Sequence, residues 1–221
     1  MIKNELKNSC HPEFISGSHE NNYKHGAMFG LDARVALAIF AALSVITGAA
    51  LYGAMKEAKV VALLTEFDNI DKAVTQYLLD TGSYPPPDVT DTPYTNQGYF
   101  NIKELVTSTV LGWKGPYIDF AIVGSNTEEL DHSIYDDVRI FRKQDIAWDS
   151  PSVTINTCLS GSASCSVYSC ISSIPNDIQK ALDLKIDGST GADSGNFRYQ
   201  AYYSCKKGMT YDKSLSPASI P

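Results

Sequence analysis

The sequence lacks the features by which most enzymes and metalloproteins can be recognised. It holds no P-loop, no dinucleotide-binding glycine pattern and no nucleophile elbow, so we expect a protein that is not an enzyme. Its five cysteines form no Cys-x-x-Cys pair, and Cys158, Cys165, Cys170 and Cys205 have no histidine near them, which argues against zinc. Positive charge is in deficit: 18 lysines and arginines against 25 acidic residues give a formal net charge of −7. Charges up to Met55 cancel, with Lys3, Lys7, Lys24 and Arg34 against Glu5, Glu13, Glu20 and Asp32, so the excess falls on the residues beyond Met55. An acidic head repels phosphate backbones and anionic lipid surfaces except where a local basic patch intervenes, so nucleic acid is not an expected partner. No internal repeat is present, which removes solenoid architectures.

The chain does have an uncharged run over residues 35–55, interrupted only by Ser44, Thr47 and Tyr52. These 21 residues, at 1.5 Å per residue, cover about 30 Å, the hydrocarbon thickness of a bilayer. Buried core helices are usually shorter or carry more polar positions. A cleaved secretory signal would have a shorter apolar region, a small-residue cleavage site and then a change of pattern, and no such change occurs here. We therefore expect a polar, disordered leader over residues 1–26, a transmembrane helix over 27–55 and one head domain over 56–221.

The four late cysteines fit two disulfides in an oxidising compartment. Three pairings can be drawn; the one we favour joins Cys158 to Cys165 and Cys170 to Cys205. Lys24 and Arg34 before the span balance Lys56 and Lys59 after it, so the positive-inside rule is silent. The cysteines then place the head outside the cytoplasm, with Cys10 reduced or removed.

From about Leu31 one helix is expected to run to Asp80. Its second half is amphipathic, with Val60, Leu63, Leu64, Phe67, Ile70, Val74, Tyr77 and Leu78 on one stripe. Gly82 and the prolines Pro85, Pro86 and Pro87 stop it, and a loop continues to about Gly98. Strands are expected at residues 117–123, 138–142, 153–156 and 197–204, and a short helix from Pro175 through Leu184 with Gly188 beyond its end. The fold class is α+β: a long N-terminal α-helix packed on a small antiparallel β-sheet head with disulfides.

Few residues suggest chemistry. His132 with Ser133 reads as part of a surface loop, and Glu128, Glu129, Asp131, Asp136 and Asp137 as a solvated acidic loop. Residues 187–195 alternate oxygen donors with glycines, one way to wrap calcium, but without the closing glutamate of an EF-hand. A plain turn is the simpler account, with Asp183, Asp187 and Asp193 the candidates for calcium. Small residues recur four apart at Ala38 and Ala42, Ala49 and Gly53, and Ala50 and Ala54, a spacing that lets helices approach closely and that ordinary alanine content also produces. Asp32 at the edge of the run, with Arg34 nearby, reads most simply as helix capping.

Taken in order, Lys24-His25-Gly26, the apolar helix, its amphipathic continuation, Tyr77-Leu78-Leu79-Asp80-Thr81-Gly82-Ser83-Tyr84-Pro85 and Gly112-Trp113-Lys114-Gly115-Pro116-Tyr117 resemble the type IV pilin and type II secretion pseudopilin superfamily. The resemblance implies a prepilin peptidase that removes the leader by cutting after a glycine, methylation of the new amine, and polymerisation with the apolar helices at the filament core. Its partners would be copies of itself and other pilin-like subunits, at a bacterial inner membrane, with the head in the periplasm or on an extracellular filament. Processing would fall between Gly26 and Ala27, with Gly30 and Leu31 the second choice; a third alternative is a start at Met28 with nothing cut. The family also places a glutamate at the fifth mature position, where it meets a neighbouring amine; here Asp32 would be sixth after a cut at Gly26 and second after a cut at Gly30. Calcium in a head loop is known in the pseudopilin branch, which draws attention to Asp187 and Asp193. The cysteine-bearing residues 158–205 look more like a pilin's C-terminal disulfide region. The competing expectation is a monomeric, single-pass membrane-anchored extracytoplasmic binding protein; an adhesive or DNA-uptake minor pilin would share the architecture.

Overall fold

The computed structural model describes residues 30–88, 98–146, 148, 158, 164–200 and 202–217. The leader, Cys10, Gly26, Ala27 and the strand expected at 153–156 lie outside the described residues. The chain divides into two units, Met1–Ala50 and Leu51–Pro221. One helix, α1 (Gly30–Thr81), supplies what is described of the first and opens the second. It starts and stops within one residue of the expected bounds, because neither proline nor a run of charge interrupts it before Gly82. There φ is +76°, and the Gly82 N–H closes on the Leu78 carbonyl at 2.9 Å.

In the second unit α1 buries Val60, Leu63, Phe67, Ile70, Ala73, Val74 and Tyr77, three or four residues apart on one face. They pack on a six-stranded antiparallel sheet built from β1 (Ala121–Ile122), β2 (Leu130–Asp131), β3 (Asp137–Gln144), β4 (Cys165–Ser172), β5 (Phe197–Tyr199) and β6 (Tyr203–Thr210), in the order β1-β2-β3-β4-β6-β5. A second helix, α2 (Asn176–Asp187), connects β4 to β5 and ends at Gly188 in the left-handed conformation, whose N–H bonds to the Leu184 carbonyl. Every residue of β4 is buried. Val167 and Ile171 join the core under α1, while Tyr168 and Cys170 enter a second, aromatic core with Tyr99, Phe141 and Trp148. Cys170 and Cys205 face one another across β4 and β6 and are bonded, and Cys158 is bonded to Cys165, as favoured from the sequence.

Several expectations need correction. The strand expected at 117–123 forms only as β1 near its end; Tyr117 instead bonds through its N–H to the Leu105 carbonyl and through its hydroxyl to Asp80 of α1. The strand expected at 138–142 is longer, and the one expected at 197–204 is two strands, β5 and β6, turned back on each other with Gln200 N–H on the Tyr203 carbonyl at 2.8 Å. Pro175 is the N-cap of α2 rather than a first-turn residue, and the helix runs three residues past Leu184. β2 and β4 have no counterpart among the expected strands.

Candidate functional site

The first half of α1 is a rod of apolar side chains, all exposed, from Leu31 through Met55. Its serine and threonine hydroxyls are satisfied within the helix: Ser44 Oγ donates to the Phe40 carbonyl at 2.7 Å and Thr47 Oγ1 to the Leu43 carbonyl at 2.8 Å. Neither hydroxyl is left to seek water, which is what an apolar medium demands. The helix is long and apolar enough to cross a membrane. Gly30 and Leu31 open α1, and Asp32 lies in its first turn, where a carboxylate complements the exposed N–H groups. Among the described residues neither Asp32 nor Arg34 makes an ion pair.

The far end of α1 is clasped by the Gly112-to-Tyr117 segment. Asp80 Oδ1 takes Lys114 Nζ at 3.1 Å and Asp80 Oδ2 the Tyr117 hydroxyl at 3.0 Å, while Trp113 Nε1 donates to the Glu104 carbonyl at 2.9 Å. Hydrogen bonds from Gln76 and then Lys114 hold the Asp80 carboxyl below its ordinary range. α1 has no basic residue in its last turn, so Lys114 supplies the positive charge its C-terminal dipole favours. Gly112, at φ +92°, lies so close that a Cβ there would sit 2.3 Å from the Asp80 carbonyl oxygen. That approach explains the glycine opening the motif.

Midway along the packed half, Lys206 of β6 reaches Asp68 at 2.9 Å and Asp71 at 2.8 Å, and Ser169 Oγ of β4 donates to Asp71. Gly208 makes room, since a Cβ there would meet Asp71 Oδ1 at 2.9 Å. Burial pulls the Lys206 ammonium down, but Asp71 and Asp68 together hold it above the ordinary lysine range. This is a charged latch between helix and sheet.

Of the two loops read as solvated, Asp131, Ser133 and Asp136 are exposed as expected, but His132 and Asp137 are buried. His132 is 3 % exposed, accepts at Nδ1 from the Ile134 and Tyr135 N–H groups at 3.1 Å, and places Nε2 3.1 Å from Glu66 of α1. From the acidic cluster, Glu128, Glu129 and Asp137 converge on Arg139, whose guanidinium also lies over the rings of Tyr99 and Tyr203 at 5.3 and 5.6 Å. The causes differ: Glu66 of α1 receives His132, while Arg139 draws Glu128, Glu129 and Asp137 together.

Two of the carboxylates proposed for calcium, those of Asp183 and Asp187, serve their own loop, and Asp193 is held through its backbone. Asp183 Oδ2 accepts from Gly191 N–H at 2.6 Å, Asp187 accepts from Asn196 and Phe197 N–H at 3.0 and 2.8 Å, and the Asp193 carbonyl accepts from Trp148 N–H at 2.9 Å. Burial, and then the charge of Asp187, pushes the Asp183 carboxyl up. Among the described residues no three of His, Cys, Asp and Glu come together as a metal ion needs. A groove of about 510 Å³ runs between α1 and residues 117–120, with Glu66, Lys72 and Asp119 beside Tyr117 and Phe120. Among the described residues no serine, cysteine or histidine lines it.

The chain matches no protein-family model, no curated protein and no solved structure. What stands is the architecture, a long N-terminal apolar helix whose second half packs on a small antiparallel sheet with two disulfides, which is compatible with that of pilin-like proteins.

Proposed function

We propose that this chain is a pilin-like structural subunit, rooted by α1 in a bacterial inner membrane and assembled through α1 into a filament of the type IV pilus or secretion pseudopilus kind. The observation that carries the reading is the exposed apolar half of α1, its serine and threonine hydroxyls bonded within the helix, on a chain whose remaining part is a disulfide-bonded head. Such a surface is suited to lipid while the subunit is stored and to other copies of the same helix once it is assembled. The partners are copies of itself and related subunits, with a prepilin peptidase acting at Gly26 and Ala27. The role is structural, with the head setting surface properties and lateral contacts.

Intact mass and N-terminal sequencing of protein recovered from host membranes test the processing. A start at Ala27 or Leu31, methylated, is expected; a chain that keeps its leader overturns it. Cysteine pairs placed in the apolar half of α1 should crosslink between copies, whereas a monomeric anchored binding protein would not crosslink. Asp32→Ala should abolish incorporation into filaments and leave membrane insertion intact. Unchanged assembly would remove Asp32 from the mechanism.

A further inference from the structure

The apolar run ends inside the second unit, where residues 51–55 approach the start of α2. Tyr52, Met55, Lys56 and Lys59 of α1 and Asp177 and Ile178 of α2 line a pocket of about 160 Å³. Lys56 pairs with Asp177 at 3.4 Å and Glu57 with Lys185, so both ends of α2 are tied to one turn of α1. Lys59 and Lys180 are exposed and make no ion pair with any described residue. In the pocket lining Lys56 and Lys59 stand against Asp177, a local balance opposite in sign to the chain's net charge of −7. Beside them Tyr52 and Met55 are 68 % and 53 % exposed.

We propose that this end of the head binds the headgroup of an anionic phospholipid, a site that rests on reading α1 as a membrane span. The phosphate sits at the pocket between Lys56 and Lys59, Lys180, one turn along α2 from the pocket residue Asp177, adds to the attraction, and the acyl chains run along Met55 and Tyr52. Tyr52 has the amphipathic ring suited to headgroup level. Three features point to lipid rather than to a soluble anion. The lysines come immediately after the apolar run, the pocket wall is part apolar, and the charge is opposite in sign to that of the chain as a whole. Bound there, the lipid fixes the depth of α2, and with it the head, against the bilayer.

The test uses the full chain in neutral detergent micelles, titrated with dioleoylphosphatidylglycerol or dioleoylphosphatidylcholine and read by native mass spectrometry at low ionic strength. Retention of the glycerol lipid over the choline lipid is expected, with Lys59→Ala and Lys180→Ala each weakening it about fivefold. Both side chains are exposed, so unchanged thermal unfolding will show that the variants are folded. Equal retention of the two lipids, or undiminished affinity in the double variant, overturns the site, and so does equally tight binding of glycerol phosphate without acyl chains. Flotation with phosphatidylcholine vesicles after an alkaline wash separates the two readings. A chain that fails to float overturns the membrane span and this site with it, while a floating chain without lipid preference overturns the site alone.

Discussion

Replacing Lys206 by methionine isolates the latch between α1 and the sheet. The variant keeps most of the side-chain volume but leaves Asp71, whose side chain is 20 % exposed, without its cation. Removing one partner of a fully buried pair costs about 3 to 5 kcal/mol, and of an exposed pair about 1 or less. Asp71 and the Lys206 side chain, 19 % exposed, lie between these limits, and Asp68 at 55 % contributes little. We expect a loss of about 2 kcal/mol, or about 4 to 8 °C in Tm for a domain of this size. Calorimetry of the full chain in detergent reads it. Adding Asp71→Asn should restore part of the loss, giving a coupling of about 1 kcal/mol or more in the double-mutant cycle. The pH dependence has a definite sign. A lysine raised in the folded state stabilises fully below its unfolded value of about 10.4 and loses that contribution as pH rises through the folded value, so wild type and variant should converge above about pH 10.5. A variant that melts within 1 °C of wild type at pH 7 refutes the latch.

Other substitutions probe the same frame. Loss of the Cys170–Cys205 bond, which closes 35 residues, should cost about 4 kcal/mol on the chain-entropy model, and loss of Cys158–Cys165, which closes 7, about 2; equal losses in urea unfolding would refute the ranking. Lys143 is fully buried, and burial pulls its ammonium down to about 7. Its folded form sheds a proton that the unfolded form keeps, so stability should rise with pH by up to about 1.4 kcal/mol per unit between pH 7 and 10, and Lys143→Met should flatten that slope. Gly112→Ala should cost about 2 to 3 kcal/mol because a positive φ and the Asp80 carbonyl both oppose it, while Gly124→Ala, with φ +50° and open space, should cost about 1. A smaller loss at Gly112 than at Gly124 in thermal melts would contradict the clasp.

The long helix, its stop and its buried stripe were legible because each rests on local chemistry: an uncharged run, apolar spacing of three and four, then glycine and proline. β4 was not, and the reason is particular. Cys165-Ser166-Val167-Tyr168-Ser169-Cys170-Ile171-Ser172 is buried on both faces, so it shows no alternation of polar and apolar residues. Its serines can be buried because distant partners receive them: Ser169 bonds to Asp71 of α1, and Ser172 exchanges hydrogen bonds with the backbone of Asp137. Similarly, Glu128, Glu129 and Asp137 look like solvent-facing acids until Arg139 is placed among them. Side chains that are polar by type and internal by partnership are invisible to a reading of one segment at a time.

That distinction bears on how α1 divides its work. Among the described residues the charged ties from α1 to the head, at Lys56, Glu57, Glu66, Asp68, Asp71 and Asp80, all come after the apolar run, and the residues proposed for assembly, Asp32 and Arg34, lie before it. Assembly and head stability should therefore be separable by substitution along one continuous helix. Asp32→Ala should block filament incorporation without moving the head's melting temperature, and Lys206→Met should lower that temperature without affecting membrane insertion. If both variants disturbed both properties, the two halves of α1 would be energetically coupled, and the apolar half could not be treated as an assembly element in its own right.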